Sequence, residues 1–197
     1  MQHSCVYKDN DYFCNIVALV KLILKNKDFQ SVIIFSSTKD NVKLLERTLR
    51  QVDGSVKAFH SDLEQVEREE IMRDFKAKKI RVLIGTDILS RGIDVDGISL
   101  VINYNAPPDP EDYIHRIGRT ARAEKAGVAI TLVNERDQIK LSKIEDLMGF
   151  EVARMTIPSE LGPGPEYNPA ANKKEFSNFK SNKKSSNYNS KSKPKHK

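Results

Sequence analysis

The sequence predicts an α/β fold on a mostly parallel sheet, and two patterns carry that prediction. Short apolar runs rich in Val and Ile alternate with longer amphipathic runs at helical period, the mark of repeated βα units. The length, 197 residues, suits one domain with a sizeable core rather than two of ordinary size.

A helix over residues 11–25 places Phe13, Ile16, Val17, Val20, Ile23 and Leu24 on one broad stripe suited to covering a sheet face. Five buried strands are expected at 32–36, 56–60, 81–86, 100–104 and 127–133. Helices are expected near 41–51, 63–78 and 110–117, with a last one near 136–148. The start at 110 has a clear signal: Asp109 can accept bonds from orphan N–H groups as N-cap, and Pro110 suits the first helical position because it has no donor to leave unpaired. Gly118 is a natural stop.

After Pro158 the chain changes character. Gly162, Pro163, Gly164, Pro165 and Pro169 make a spacer, and beyond it Lys, Ser and Asn leave too little apolar surface to offset ordering entropy. The expected division is a domain at 1–158, a Pro/Gly-rich linker at 159–172 and a disordered Lys-rich tail at 173–197.

The net charge of +6 hides an uneven distribution: the tail holds nine Lys against the single acid Glu175, a net +8, while residues 1–172 carry −2. Cys5 and Cys14 fit neither a disulfide framework nor a paired metal-ligand spacing, and no secretory signal precedes them, so a reducing cytoplasm is expected. The longest apolar stretch, 16–24, is interrupted by Lys21 and falls far short of the roughly 20 residues a bilayer span requires. No membrane association is expected.

The densest chemical signal is the run His115, Arg116, Arg119 and Arg122. Four potentially cationic groups in eight residues repel one another, which suits an anion site, although a solvated basic helix end would read the same way. Guanidinium groups make paired charge-assisted bonds to phosphate and keep their proton. At the end of the third strand stand Gly85, Thr86 and Asp87, followed by Ser90, Arg91, Gly92, Ile93 and Asp94. Parallel sheets bind ligands at the carboxyl ends of their strands, where Thr86 offers a hydroxyl to phosphate and Asp94 offers acceptors to a ribose. Helix caps and a turn glycine would account for the same residues. Near the second strand, Ser61 precedes Gln65 and Arg68, which share one helical face, as an exposed helix surface also would.

Taken in order, Phe35 within Val-Ile-Ile-Phe-Ser-Ser-Thr, Gln65 and Arg68, the run Gly-Thr-Asp-Ile-Leu-Ser-Arg-Gly-Ile-Asp at 85–94, Val-Ile-Asn-Tyr-Asn at 101–105 and His-Arg-Ile-Gly-Arg-Thr-Ala-Arg at 115–122 resemble the C-terminal RecA-like domain of DEAD-box RNA helicases. The resemblance covers about residues 1–158 and implies a three-layer RecA-like domain. It makes Arg119 and Arg122 arginine fingers toward the γ-phosphate of ATP, and His115 and Arg116 links between the nucleotide site and the opposite lobe. Asp94 would face the ribose, framed by Arg91 and Gly92. Thr38, Ser61, Gln65, Arg68 and Thr86 would meet the RNA backbone, contacts that carry little sequence information.

Two residues depart from the family pattern: Ala121 replaces a usual glycine, and Asn105 stands where Asp is usual. The chain also holds no Gly-x-x-x-x-Gly-Lys-Ser/Thr loop and no Asp-Glu-Ala-Asp run. The resemblance therefore implies half of a two-lobe enzyme, with ATP and Mg2+ held mainly by an N-terminal RecA-like lobe and with RNA as partner. The isolated domain is expected to be monomeric and inactive as an ATPase. A stand-alone RNA-binding module is the alternative; a related helicase of another group fits less well, because several such groups carry Gln where this chain has His115. The tail's Lys residues, interleaved with Phe176, Phe179 and Tyr188, suit non-specific RNA tethering, against a merely solubilising role.

Overall fold

The computed structural model describes residues 2–8, 12–51, 53–92, 95, 97–120, 127–161 and 164–170, with side chains described from residue 17 onward except at 91–92. Its centre is one sheet of seven strands, β1 (Gln2–Lys8), β2 (Val32–Phe35), β3 (Val56–Phe59), β4 (Val82–Gly85), β5 (Leu100–Asn103), β6 (Val128–Asn134) and β7 (Ala153–Arg154). The order is β3-β4-β2-β5-β6-β1-β7, and every pairing is parallel.

The five expected strands form the contiguous stretch β3-β4-β2-β5-β6. Their near-continuous Val and Ile content reflects burial on both faces. β1 and β7 extend the sheet beyond what the sequence patterns indicate, because Gln2–Lys8 is too polar to read as a buried strand and two residues carry no period.

Alternation along each strand sorts its side chains into two clusters. Val32, Ile34, Val82, Ile84 and Ile102 pack with Val17, Val20 and Leu24 of α1 (Tyr12–Lys25) and with Val42, Leu45 and Leu49 of α2 (Lys39–Leu49). Ile33, Phe35, Leu83 and Val101 pack on the other side with residues of α3 (Gln65–Lys76), α4 (Ile88–Gly92), α5 (Pro110–Ile117) and α6 (Glu135–Met148). The result is a three-layer α/β domain.

Local chemistry fixes the helix ends. Asp109 accepts from the Glu111 N–H at 3.0 Å with Pro110 behind it, as the sequence predicts. Asn134 caps α6, which ends at Gly149 with φ +72°, a left-handed conformation that glycine adopts freely. The segment expected as linker lies partly against α6: the Gln138 amide donates to the Glu166 carbonyl and accepts from the Asn168 N–H, both at 2.8 Å, and the Tyr167 hydroxyl donates to Glu145 at 3.0 Å.

At the amino edge Arg81 acts as a clamp. Its guanidinium donates to the carbonyls of Leu24, Asn26 and Phe29 at 2.8–3.0 Å and to Asp53 at 2.7 Å, joining the end of α1 to the entry of β4. Burial pushes the Asp53 carboxyl up, but hydrogen bonds from Ser55 and Arg81 together outweigh it and hold the group below its ordinary value. Arg81→Met would leave three carbonyls and a carboxylate without their donor, and is expected to lower the unfolding free energy by about 3 kcal/mol in urea titrations.

Candidate functional site

Those of the expected site residues that are described lie toward opposite edges of the sheet. Phe35, Gly85 and Phe59 end three neighbouring strands in one register row, so the chain leaves β2, β4 and β3 side by side. Thr38, Thr86 and Ser61 follow within three residues of those ends, along the carboxyl edge, and Gln65 and Arg68 open α3 just beyond Ser61.

Three of these side chains, Thr38, Gln65 and Arg68, already have a local bond. Thr38 Oγ1 accepts from the Asn41 N–H at 3.3 Å as the cap of α2, which leaves its O–H free to donate. Arg68 Nη2 donates to the Ser61 carbonyl at 2.8 Å, so this guanidinium and Ser61 form one unit. Arg68 Nε is buried and has no partner among the described residues. Gln65 donates to Glu69 at 2.7 Å, and Thr86 is half-buried.

Two further cations stand at this edge. Lys39 and Lys43, one turn apart on α2, both bind Asp62, at 3.0 and 2.8 Å. Hydrogen bonds from Lys43 and then Lys39 hold the Asp62 carboxyl down to about 2. The lysine pair is legible as an i,i+4 repeat behind the Thr38 cap, but its acidic partner comes from the loop after β3.

The arginine run behaves differently. Arg116 is fully buried: Nε donates to Asp87 at 2.6 Å, Nη1 donates to the Asn105 carbonyl at 3.1 Å and to Asn103 Oδ1 at 3.4 Å, and the guanidinium lies 5.3 Å from the centre of the Phe35 ring. His115 is exposed, and Arg119 is half-buried with Nε donating to the His115 carbonyl at 3.3 Å. Of the described cations of the run, Arg116 therefore points inward while His115 and Arg119 keep exposed surface. Arg116 touches no open surface here.

Asn105 shows what its amide offers at this point. Oδ1 accepts from the Ser37 N–H at 3.0 Å while Nδ2 donates to the Ser37 hydroxyl, a donor role that an ionised Asp could not fill.

Past Ile117 the chain turns at Gly118, and Thr120 Oγ1 donates to the Ile98 carbonyl at 2.8 Å, two residues ahead of β5. Thr120 also lies against Gly127, one residue ahead of β6. The Arg119 end of α5 is thus at the amino edge, since the helix rises about 12 Å over its eight residues. Thr86 and Asp87 stand at the carboxyl edge, just past β4, whereas Ile98 lies at the opposite edge, ahead of β5. Arg122, Ala121 and Asp94 lie outside the described residues, and of Arg91 and Gly92 only the backbone, within α4, is described.

Among the described residues, no three His, Cys, Asp or Glu side chains come together in a way that could hold a metal ion, and no helix is long and apolar enough to cross a membrane.

Two measurements check this geometry. Because the folded-state pKa of Asp62 is depressed, its stabilising contribution is fully present above the ordinary 3.8 and is lost as pH falls through about 2. A carboxyl NMR titration should give a midpoint near 2 for Asp62 that rises in Lys43→Ala. Asp87→Ala leaves the buried Arg116 guanidinium without its carboxylate, and should cost about 3 kcal/mol or more in denaturant titrations.

Comparisons with known proteins agree with this architecture. The model of the helicase conserved C-terminal domain family matches residues 14–124. A Methanocaldococcus jannaschii protein named as a probable ATP-dependent RNA helicase is 47% identical over 133 residues, covering 68% of this chain and 36% of that protein. The chain spans about a third of the length of the first curated relatives it matches. The structure of S. cerevisiae Dbp5 bound to RNA and ADP BeF3 superposes with a TM-score of 0.73 at 32% identity, over 79% of this chain and 41% of that one. That of the E. coli DEAD-box protein SrmB bound to the regulator of ribonuclease activity A gives 0.76 at 28% identity, over 85% and 97%. With its three-layer parallel fold and its ordered motifs, the chain belongs to the helicase conserved C-terminal domain family, as the C-terminal domain of a DEAD-box RNA helicase.

Proposed function

We propose that this chain is the second lobe of a cytoplasmic ATP-dependent RNA helicase, closing on an N-terminal RecA-like lobe that holds most of ATP and Mg2+. One observation carries the reading: the residues expected to meet RNA and the arginine end of α5 lie at opposite edges, joined through Arg116 and Asp87. A relative is named as an ATP-dependent RNA helicase, and a structural neighbour is described with RNA and ADP BeF3.

ATP bound across the cleft between lobes would supply the phosphoryl group whose transfer to water drives the cycle. Arg119 and Arg122 would bring permanent cations to the charge that develops on that group, a contribution of about 10³ to 10⁵ in related phosphoryl-transfer enzymes. Asp94, framed by Arg91 and Gly92, would accept from the ribose, and His115 would meet the other lobe. Ile88 and Ile114, exposed on the mutually contacting α4 and α5, offer apolar surface for that lobe to cover. Thr38, Ser61, Gln65, Arg68 and Thr86 would hold the sugar-phosphate backbone, and the Lys-rich tail would tether RNA non-specifically.

The isolated chain should hydrolyse no ATP, and adding a separately expressed lobe that carries a Walker loop should restore RNA-stimulated hydrolysis. Arg119→Ala should then lower turnover by about 10³. No recovery despite demonstrated association of the lobes would favour a stand-alone RNA-binding module. Removing residues 173–197 should weaken RNA binding and flatten its dependence on log salt by about 0.7 for each phosphate the tail neutralises.

A further inference from the structure

Thr120 stands between the two expected arginine fingers, yet it faces inward. Only 4% of it is exposed, and its hydroxyl donates to the Ile98 carbonyl at 2.8 Å in a buried contact. Its backbone N–H donates to the Ile117 carbonyl at 3.1 Å, and that of Arg119 donates to the Arg116 carbonyl at 3.2 Å, so the chain leaves α5 in a tight turn. Gly127 closes the arrangement from the other side. A Cβ there would collide with both the carbonyl and the hydroxyl oxygen of Thr120, so no larger residue allows this approach.

These contacts tie three segments together at one point. Ile98 follows Asp94 by four residues and leads into β5; Gly127 leads into β6; Thr120 follows Arg119 directly. A buried hydroxyl bonded to a main-chain carbonyl is costly to break, because both groups then lose their partner.

We infer that Thr120 is a positioning residue: its bond to Ile98, with Gly127 packed on it, sets the direction in which Arg119 leaves α5 relative to the segment that follows Asp94. This rests on the proposed role of Arg119. Displacing a catalytic cation by about 1 Å is enough to lose up to a hundredfold in rate. The hydroxyl is the functional part, and the remainder of the side chain serves only to fill space.

The test uses the two-lobe enzyme, with this chain joined to its Walker-bearing partner, and compares Thr120→Val, Thr120→Ser and Arg119→Ala. Thr120→Val keeps the shape but removes the donor, and is expected to lower kcat by about tenfold to a hundredfold. Its KM for ATP and its affinity for RNA at the opposite edge should stay within about twofold, while Thr120→Ser retains near-normal kcat. Should Thr120→Val not fold, Thr120→Ala removes the hydroxyl without setting a methyl against the carbonyl. A purely structural role would show as a lower Tm with kcat per folded molecule unchanged, and that result overturns the inference. If Arg119→Ala abolishes turnover while Thr120→Val leaves it intact, the positioning role alone fails. If Arg119→Ala has no effect, the reading of the arginines fails, and the positioning role with it.

Discussion

A fully buried guanidinium organises the middle of this domain. Arg116 is held by the Asp87 carboxylate, by Asn103 and by the Asn105 carbonyl, and it lies over the Phe35 ring. Those partners come from the ends of β4, β5 and β2, so one side chain of α5 ties three strands together. Desolvating such a charge is tolerable only because a carboxylate and two carbonyl-type oxygens replace water. The network continues inward, with Asn103 donating to Thr131 at 3.1 Å and Thr131 sharing a bond with the Tyr113 hydroxyl at 3.4 Å. The long axis of α5 is thereby fixed by polar bonds as well as by Tyr113 and Ile117 in the core.

That anchoring explains how one short helix serves both edges. Arg116 reaches toward the carboxyl edge, where Asp87 adjoins Thr86. Four residues later the chain is at the amino edge, with Thr120 on Ile98. Asp87, next to Thr86 in the chain, is therefore separated from Arg119 only by its hydrogen bond to Arg116 and the last turn of α5. In the proposed enzyme this is the physical route by which the RNA-facing and nucleotide-facing surfaces of the lobe would affect each other.

Much of this was legible in the sequence, and what was not shares a cause. Strands β2 to β6 stand out because Val and Ile fill runs buried on both faces, and α5 because Asp109 and Pro110 mark its start. Gln2–Lys8 gives no such run, and its place in the sheet comes from pairing with β6 and β7. α4 has five residues, too few to show a period. The contacts that define the site join residues far apart in sequence: Asp87 and Arg116 are 29 apart, and Ile98 and Thr120 are 22 apart. Residue type marked the arginines as a set; only topology shows that one of them is internal. Charge repulsion in sequence does not distinguish the members of the run, whereas in the fold Asp87 neutralises Arg116, the most buried of those described.

The separation of charge along the chain has a consequence for RNA. At the carboxyl edge Lys39 and Lys43 share Asp62, so one carboxylate offsets part of the positive charge there. Long-range attraction would then come from the tail, whose nine Lys are offset by one acid. Residues 166–168 are held on α6 by Gln138 and Glu145, which fixes where the following segment begins. The 27 residues after Ala170 can span at most about 90 Å. RNA captured by the tail would therefore stay at high effective concentration near the carboxyl edge without being tied to one register. Attraction of this kind weakens as salt rises, whereas the short bonds proposed for Thr38, Ser61, Gln65 and Thr86 would depend on geometry and be screened far less. On the proposed reading, capture and positioning would fall to different parts of the chain, and each could change without the other.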